Sequence, residues 1–217
     1  AKGETPDEIA AFARVLRRQA VPVPVDATGA VDMCGTGGDR SGTFNISTAA
    51  MFITAGAGVP VLKHGNRSVS SRSGSADVLE ELGVNVMLEP AQAGKVFEQV
   101  GAVFLFAPLH HPVMKNVGSL RRALGIRTFF NLLGPLLNPA GVTRQVVGAY
   151  SLDAAALLQQ VAPRLGYDRF TSIHAEDGLD EVSLSSPTWL HEYRDGIAPS
   201  EPIRFDPDVL GLDPHPQ

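Results

Sequence analysis

The sequence predicts an α/β fold, a mainly parallel sheet flanked by helices, with a smaller helical part interleaved in the chain. Short apolar runs of strand length alternate with runs of helix length, the rhythm of parallel strands joined by crossover helices. Two of the strand-like runs lead into glycine-rich, hydroxyl-rich segments, within residues 32–48 and 63–77. Glycines there let the backbone turn sharply and come close to a ligand. The alternation breaks between His110 and Asn138 and then resumes.

Thr5-Pro6-Asp7-Glu8 opens the first helix: Thr5 caps, Pro6 suits the first turn and Glu8 completes a capping box. The helical pattern runs to about Gln19, and residues 21–25 (Val-Pro-Val-Pro-Val) form a stiff extended connector. Residues 30–34 then read as a strand, 47–57 as a helix, 59–63 as a strand and 75–82 as a helix stopped by Gly83. Strands over 84–88 and 102–106 follow, separated by a helix over 91–100. His111-Pro112 starts a helix to Gly125, and 128–133 is a second helical piece ended by Gly134-Pro135. A strand over 145–150, a helix over 153–165 and a strand over 169–174 restore the rhythm, and from Pro199 the tail is proline-rich with weak periodicity. Segments 1–20 and 108–142 are thereby assigned to a helical domain, and 21–107 and 143–217 to the α/β domain.

With 44% hydrophobic and 19% charged residues, the 217-residue chain can bury a sizeable core, which argues against disorder. A net charge of −5 without a long basic run argues against nucleic acid or an acidic membrane as partner. The single cysteine, Cys34, excludes an internal disulfide and fits a reducing, cytoplasmic setting. No apolar run reaches membrane-spanning length.

The first glycine segment, Gly35-Thr36-Gly37-Gly38-Asp39, has Arg40 where a dinucleotide fingerprint needs a third small residue, and no Gly-Lys-Ser/Thr follows as in a Walker A loop. Asn45, Ser47 and Thr48 lie at the start of the next helix, where free N–H groups favour an anion; helix capping is the plainer reading. Lys63 and Arg67 bracket His64-Gly65-Asn66 after a strand, a basic pair suited to phosphate or, more plainly, a solvated turn. His64 either positions the loop or touches substrate. Asp180 and Glu181 follow a strand end and suit Mg²⁺, which needs only one or two carboxylates when phosphates and waters complete its shell. His110-His111 share no helix face and lack a third ligand, so a structural or substrate-wall role is favoured over metal. No serine sits on a nucleophile elbow, so no covalent catalytic residue is assigned.

These segments, with Gly74-Ser75-Ala76-Asp77-Val78-Leu79-Glu80, His111-Pro112-Val113-Met114-Lys115, Arg127-Thr128-Phe129-Phe130-Asn131-Leu132-Leu133-Gly134-Pro135 and Gly178-Leu179-Asp180-Glu181, resemble the anthranilate phosphoribosyltransferase family in type and order. The resemblance implies a nucleoside phosphorylase/phosphoribosyltransferase-like fold. It implies transfer of the phosphoribosyl group of 5-phosphoribosyl 1-pyrophosphate to anthranilate, in tryptophan biosynthesis. Carried over motif by motif, Gly35, Gly38, Asp39, Thr43, Asn45, Ile46, Ser47, Thr48, Lys63, His64, Gly65, Asn66, Arg67, Ser68, Val69, Ser70, Ser71 and Ser75 bind the donor. Ser47, Asp180 and Glu181 hold Mg²⁺, and Gly35, Asn66 and Arg121 contact anthranilate. The family also implies a homodimer when the chain is complete.

Two departures stand out. Gly118-Ser119-Leu120 replaces the small-Pro-Val type of sequence before Arg121, and Arg122 beside it leaves open which arginine faces the acceptor. The chain is also shorter than family members at both ends, so it reads as a shortened form. The alternatives are a pyrimidine nucleoside phosphorylase-like enzyme, disfavoured by Asp180-Glu181, a nucleic-acid-binding relative that has lost transferase chemistry, disfavoured by the acidic charge and the intact Gly35–Asp39 segment, and an inactive fragment, which the length supports.

Overall fold

The computed structural model describes residues 2–37, 42–68, 73–114 and 128–211. Its sheet contains β1 (Val31–Gly35), β2 (Val61–Gly65), β3 (Ala102–Phe106), β4 (Arg144–Gly148), β5 (Arg169–Ala175), β6 (Thr188–Arg194) and β7 (Ile203–Phe205). The order is β3-β2-β1-β4-β5-β6-β7; β1 to β5 run parallel and β6 and β7 are antiparallel additions at one edge. The chain moves outward from β1 to β2 and β3, then returns to place β4 on the other side of β1. That reversal makes the β1/β4 boundary the switch point, where open sheets of this kind leave a crevice beyond the strand ends.

Helix α1 (Pro6–Arg18) begins as the sequence requires: Glu8 N donates to Thr5 Oγ1 (3.3 Å) and Thr5 N to Glu8 Oε2 (3.1 Å). Its buried face, Ile9, Ala10 and Ala13, packs with Leu132, Leu133 and Leu136 from helix α6 (Phe129–Leu133) and the 3-10 turn after it. Leu158 of helix α7 (Leu152–Val161) and Phe170 of β5 complete this core. Each of these buried leucines contributes roughly 1.5–3 kcal/mol through removal from water. On the β2–β3 side of the sheet, helix α4 (Pro90–Val100) sets Ala93 and Phe97 on Leu62, Val103 and Leu105. Helix α2 (Ile46–Gly56) follows β1, and helix α3 (Ser75–Glu81) follows the second glycine segment.

Several expectations change. Residues 84–88 form no strand. Val86 inserts alone between Ala76, Leu79, Phe104 and Phe106, so this apolar run serves as a packed connector. Beyond β3 there is a short helix, α5 (Ala107–His110), and a 3-10 turn at Pro112–Met114 in place of a helix beginning at His111; residues 115–127 lie outside the described residues. Helix α7 tightens into a 3-10 turn at Ala162–Leu165, where Pro163 lacks a donor, and stops at left-handed Gly166. Strands β6 and β7 were not expected. No helix among the described residues is long and apolar enough to cross a membrane.

Candidate active site

Four strand ends meet at the switch point. Gly35 closes β1, Lys63-His64-Gly65 ends β2, Gly148 closes β4, and the loop after β5 brings Asp180 and Glu181 over the others. The approach is close enough to require glycine. A Cβ on Gly35 would stand 2.7 Å from Asp180 Oδ2, and one on Gly148 would stand 1.6 Å from the Asp180 carbonyl oxygen. Thr36 ties β1 to β4, its N donating to Gly148 O (2.8 Å) and its Oγ1 accepting from Tyr150 N (3.0 Å).

The start of α2 closes the crevice. Asn45 is the N-cap residue but its side chain makes no capping bond, and Asn45 Nδ2 donates to Ser73 O (3.2 Å) instead. Neither Ser47 nor Thr48 caps the helix. Ser47 N donates to Glu181 Oε1 (3.2 Å) and Ser47 Oγ accepts from Lys63 Nζ (3.1 Å), while Thr48 Oγ1 is buried without a partner. Lys63 is wholly buried, so the solvated-turn reading does not apply to it. Burial pulls its ammonium toward the neutral form, and Cys34, Asp32 and Glu181 oppose that pull. Ser47 thus links Lys63 and Glu181, Asp180 lies against Gly35 and Gly148 beside them, and Thr43 lies exposed just before α2.

The second glycine segment folds back on α3. Asp77 Oδ2 accepts from Gly74 N (2.8 Å) and Ser68 N (3.1 Å), and Ala76 N donates to Asn66 O (3.3 Å). Asn66 is exposed, and Ser75 starts α3. The Arg67 guanidinium is held by Asp77 and Glu80 and lies over the Phe106 ring. Its fork therefore faces α3 rather than the Gly35 corner. Gly38, Asp39, Val69, Ser70, Ser71 and Arg121 lie outside the described residues.

Beside β2, the rings of His64 and His111 meet edge to face at 5.1 Å, and His110 Nδ1 reaches Val21 O (3.0 Å). The Nε2 atoms of His64, His110 and His111 are buried without partners.

The model of the glycosyl transferase family, α/β domain, matches residues 27–217. The chain belongs to this glycosyl transferase family. An anthranilate phosphoribosyltransferase of Salinibacter ruber is 55% identical over 192 residues, which cover 88% of this chain and 56% of that relative. The crystal structure of anthranilate phosphoribosyltransferase from Thermus thermophilus superposes with a TM-score of 0.91 at 43% identity, covering 99% of this chain and 63% of that one. The Saccharomyces cerevisiae enzyme in complex with PRPP and Mg gives 0.88 at 30% identity, covering 98% and 58%. The chain therefore spans less than two thirds of the length of each of these relatives.

Two residues that hold this glycosyl transferase domain's loops in place were missed by sequence reasoning: Asp77, which organises the second glycine segment, and Asp32, which accepts from His64 N (3.0 Å). The signal for Asp77 was its place three residues after Gly74, the spacing of a capping box. The histidines give the domain a pH dependence. Burial holds His111 down to about 4, and lowers His64 and His110 as well. A depressed histidine takes up its proton first in the unfolded chain, so its stabilisation is present above pH 6.5 and is lost as pH falls toward 4. Burial raises Asp32 to about 6, which works in the opposite direction. The wild type should therefore lose about 2 kcal/mol more than His111→Asn between pH 7 and pH 5. Urea unfolding of both proteins at the two pH values measures the difference, and parallel pH profiles would remove His111 as the source.

Proposed function

We propose that this chain carries the donor-binding part of an anthranilate phosphoribosyltransferase. The reaction moves the phosphoribosyl group of 5-phosphoribosyl 1-pyrophosphate to the amine of anthranilate, releasing pyrophosphate. The observation that carries the reading is the convergence of Lys63, Ser47, Asp180 and Glu181 on the glycine-lined switch point. A pyrophosphate needs positive charge and N–H donors, and Lys63 and the start of helix α2 offer both here.

Displacement at the anomeric carbon leaves positive charge on the sugar and negative charge on the departing pyrophosphate. In this reading Lys63 and the N–H groups at the start of α2 stabilise the leaving group. Ser47, Asp180 and Glu181 offer the hard oxygen donors that Mg²⁺ takes, and too few to cage it without substrate phosphates. Mg²⁺, when bound, would neutralise pyrophosphate charge. The neutral amine of anthranilate is itself a nucleophile, so no covalent enzyme intermediate is needed. The anthranilate carboxylate suits the Arg121 guanidinium, with Gly35 and Asn66 as further contacts. Of the structural and substrate-wall readings of His110 and His111, their burial favours the structural one. The division into helical segments 1–20 and 108–142 and an α/β part over 21–107 and 143–217, a cytoplasmic location and a homodimer of the complete enzyme belong to the same reading.

The test is formation of N-(5-phosphoribosyl)anthranilate and pyrophosphate from both substrates with Mg²⁺, for this chain and for one extended to the full length of its relatives. Phosphorolysis of uridine and thymidine is assayed in parallel. The Asp180→Asn, Glu181→Gln double variant should lose at least about a hundredfold in Mg²⁺-dependent donor affinity. Phosphorolysis without phosphoribosyl transfer, or a double variant that binds donor normally, would overturn the assignment.

A further inference from the structure

We propose that Asp32 is a positioning residue for donor binding, a buried carboxylate that holds the end of β2 that carries Lys63. The inference rests on reading the Gly35–Lys63–Asp180 corner as the donor site.

The sheet has one irregular seam. β1 pairs with β4 at five positions, and β2 with β3 at five, but β1 and β2 are in register only at Val31↔Val61. Past that pair, side chains take over from the ladder. Asp32 Oδ1 accepts from His64 N (3.0 Å), and Lys63 Nζ donates to Met33 O. Each strand thus satisfies a main-chain group of the other through a side chain, and both side chains are wholly buried. Lys63 Nζ reaches Ser47 from this position, so the placement of the ammonium depends on the seam.

Asp32 is itself held. Its Oδ2 accepts from Gln145 Nε2 (3.0 Å), which also donates to Pro135 O (2.7 Å). Tyr167 OH donates to Gln145 Oε1 (2.6 Å) and accepts from Arg17 Nη2 (2.8 Å). Arg17 is fixed in turn on Leu136 O (2.6 Å) and Leu165 O (3.2 Å). The direction of this chain matters. The Pro135 carbonyl accepts only from the NH₂ side of Gln145, so the amide cannot turn over. Asp32 therefore faces N–H donors from His64 and Gln145, with Asn138 and the Met33 N–H also beside it, and only a carboxylate offers acceptors on both of its oxygens. An asparagine would leave one buried donor facing its own NH₂ group. Asp32 is wholly buried behind the strand ends, so it acts through the His64 main chain and the placement of Lys63 without touching 5-phosphoribosyl 1-pyrophosphate.

Calorimetric titration of 5-phosphoribosyl 1-pyrophosphate with Mg²⁺ into the chain, with anthranilate titrated separately, tests this. Asp32→Asn should weaken donor binding at least about tenfold and shift anthranilate affinity less than about threefold, as for residues that support ligands from behind. Tyr167→Phe cuts the same chain farther from the seam. It should cost comparable stability in urea, yet leave donor affinity within about threefold. Unchanged donor affinity in Asp32→Asn overturns the inference. So does a Tyr167→Phe variant that loses as much donor affinity, since the effect would then be general loosening. If Asp32→Asn does not fold, Gln145→Met keeps the carboxylate and removes its amide. That variant should weaken donor binding several-fold, and unchanged affinity again overturns the inference. A wild-type chain that binds no donor ends the donor-site reading and this inference with it, whereas donor binding by wild type and Asp32→Asn alike ends the inference alone.

Discussion

Gly148→Ala should abolish Mg²⁺-dependent donor binding and cost about 3 kcal/mol or more in unfolding free energy, the upper end for forcing atoms into a packed site. The added methyl would lie 1.6 Å from the Asp180 carbonyl oxygen and 2.7 Å from its carbonyl carbon. Both are main-chain atoms and cannot swing aside, so the whole acidic loop must move. Gly35→Ala differs in kind. Its methyl meets the end of the Asp180 side chain, which can rotate, so the fold should survive while the carboxylate is turned away. Gly141→Ala meets nothing within 4 Å and reports the cost of its positive φ alone. Urea unfolding and donor titration of the three variants separate packing, orientation and backbone effects. A stable, donor-binding Gly148→Ala protein would show that Asp180 does not lie over the end of β4.

Lys63→Met should be comparably damaging, for an electrostatic reason. Methionine fills much the same space, so little cavity arises. The ammonium is lost, and with it the donor to Met33 O and Ser47 Oγ. The Asp32 carboxylate then stays buried with no cation facing it. Removing one partner of a buried charge arrangement costs roughly 3–5 kcal/mol, more than the pair contributes, because the other charge remains. Adding Asp32→Asn removes that stranded charge, so the double variant should be less unstable than the two single losses combined. Urea midpoints for the four proteins close the cycle. Strict additivity would show that the two charges do not act on each other.

Much of the fold was legible because its signals are local. Helix α1 is set by Thr5, Pro6 and Glu8, whose chemistry depends on no other segment. Strands β1 to β5 are short apolar runs between glycine or proline signals. Strand β6 was not legible. Its Thr188-Trp189-Leu190-His191-Glu192-Tyr193-Arg194 buries Thr188 and His191, two polar residues, on an antiparallel partner that no turn motif announces. The false strand at 84–88 had the right composition, but only Val86 is buried there, which no alternation rule distinguishes from pairing. Around the candidate site, the place of Gly35 and Lys63 at strand ends was legible because each follows an apolar run of strand length. Asp32 was not, because one acid within Val31-Asp32-Met33 carries no local sign of burial. Its partners Gln145, Tyr167 and Arg17 come together only in the folded chain.

The strand order has a consequence for how the chain comes to be folded. β1 precedes the other six strands of this sheet in the chain, yet it lies inside the sheet, and its β4 neighbour begins only at Arg144. Until then β1, β2 and β3 can form a half-sheet with one long side of β1 open to any passing strand. The face of α1 is also without its main support, since Leu158 and Phe170 come later still. Joining the two halves means closing a long loop, which is slow and leaves an apolar seam exposed meanwhile. The nascent chain is thus most prone to sticking to its neighbours just before β4 emerges, and the same strand that completes the binding crevice also ends that exposure.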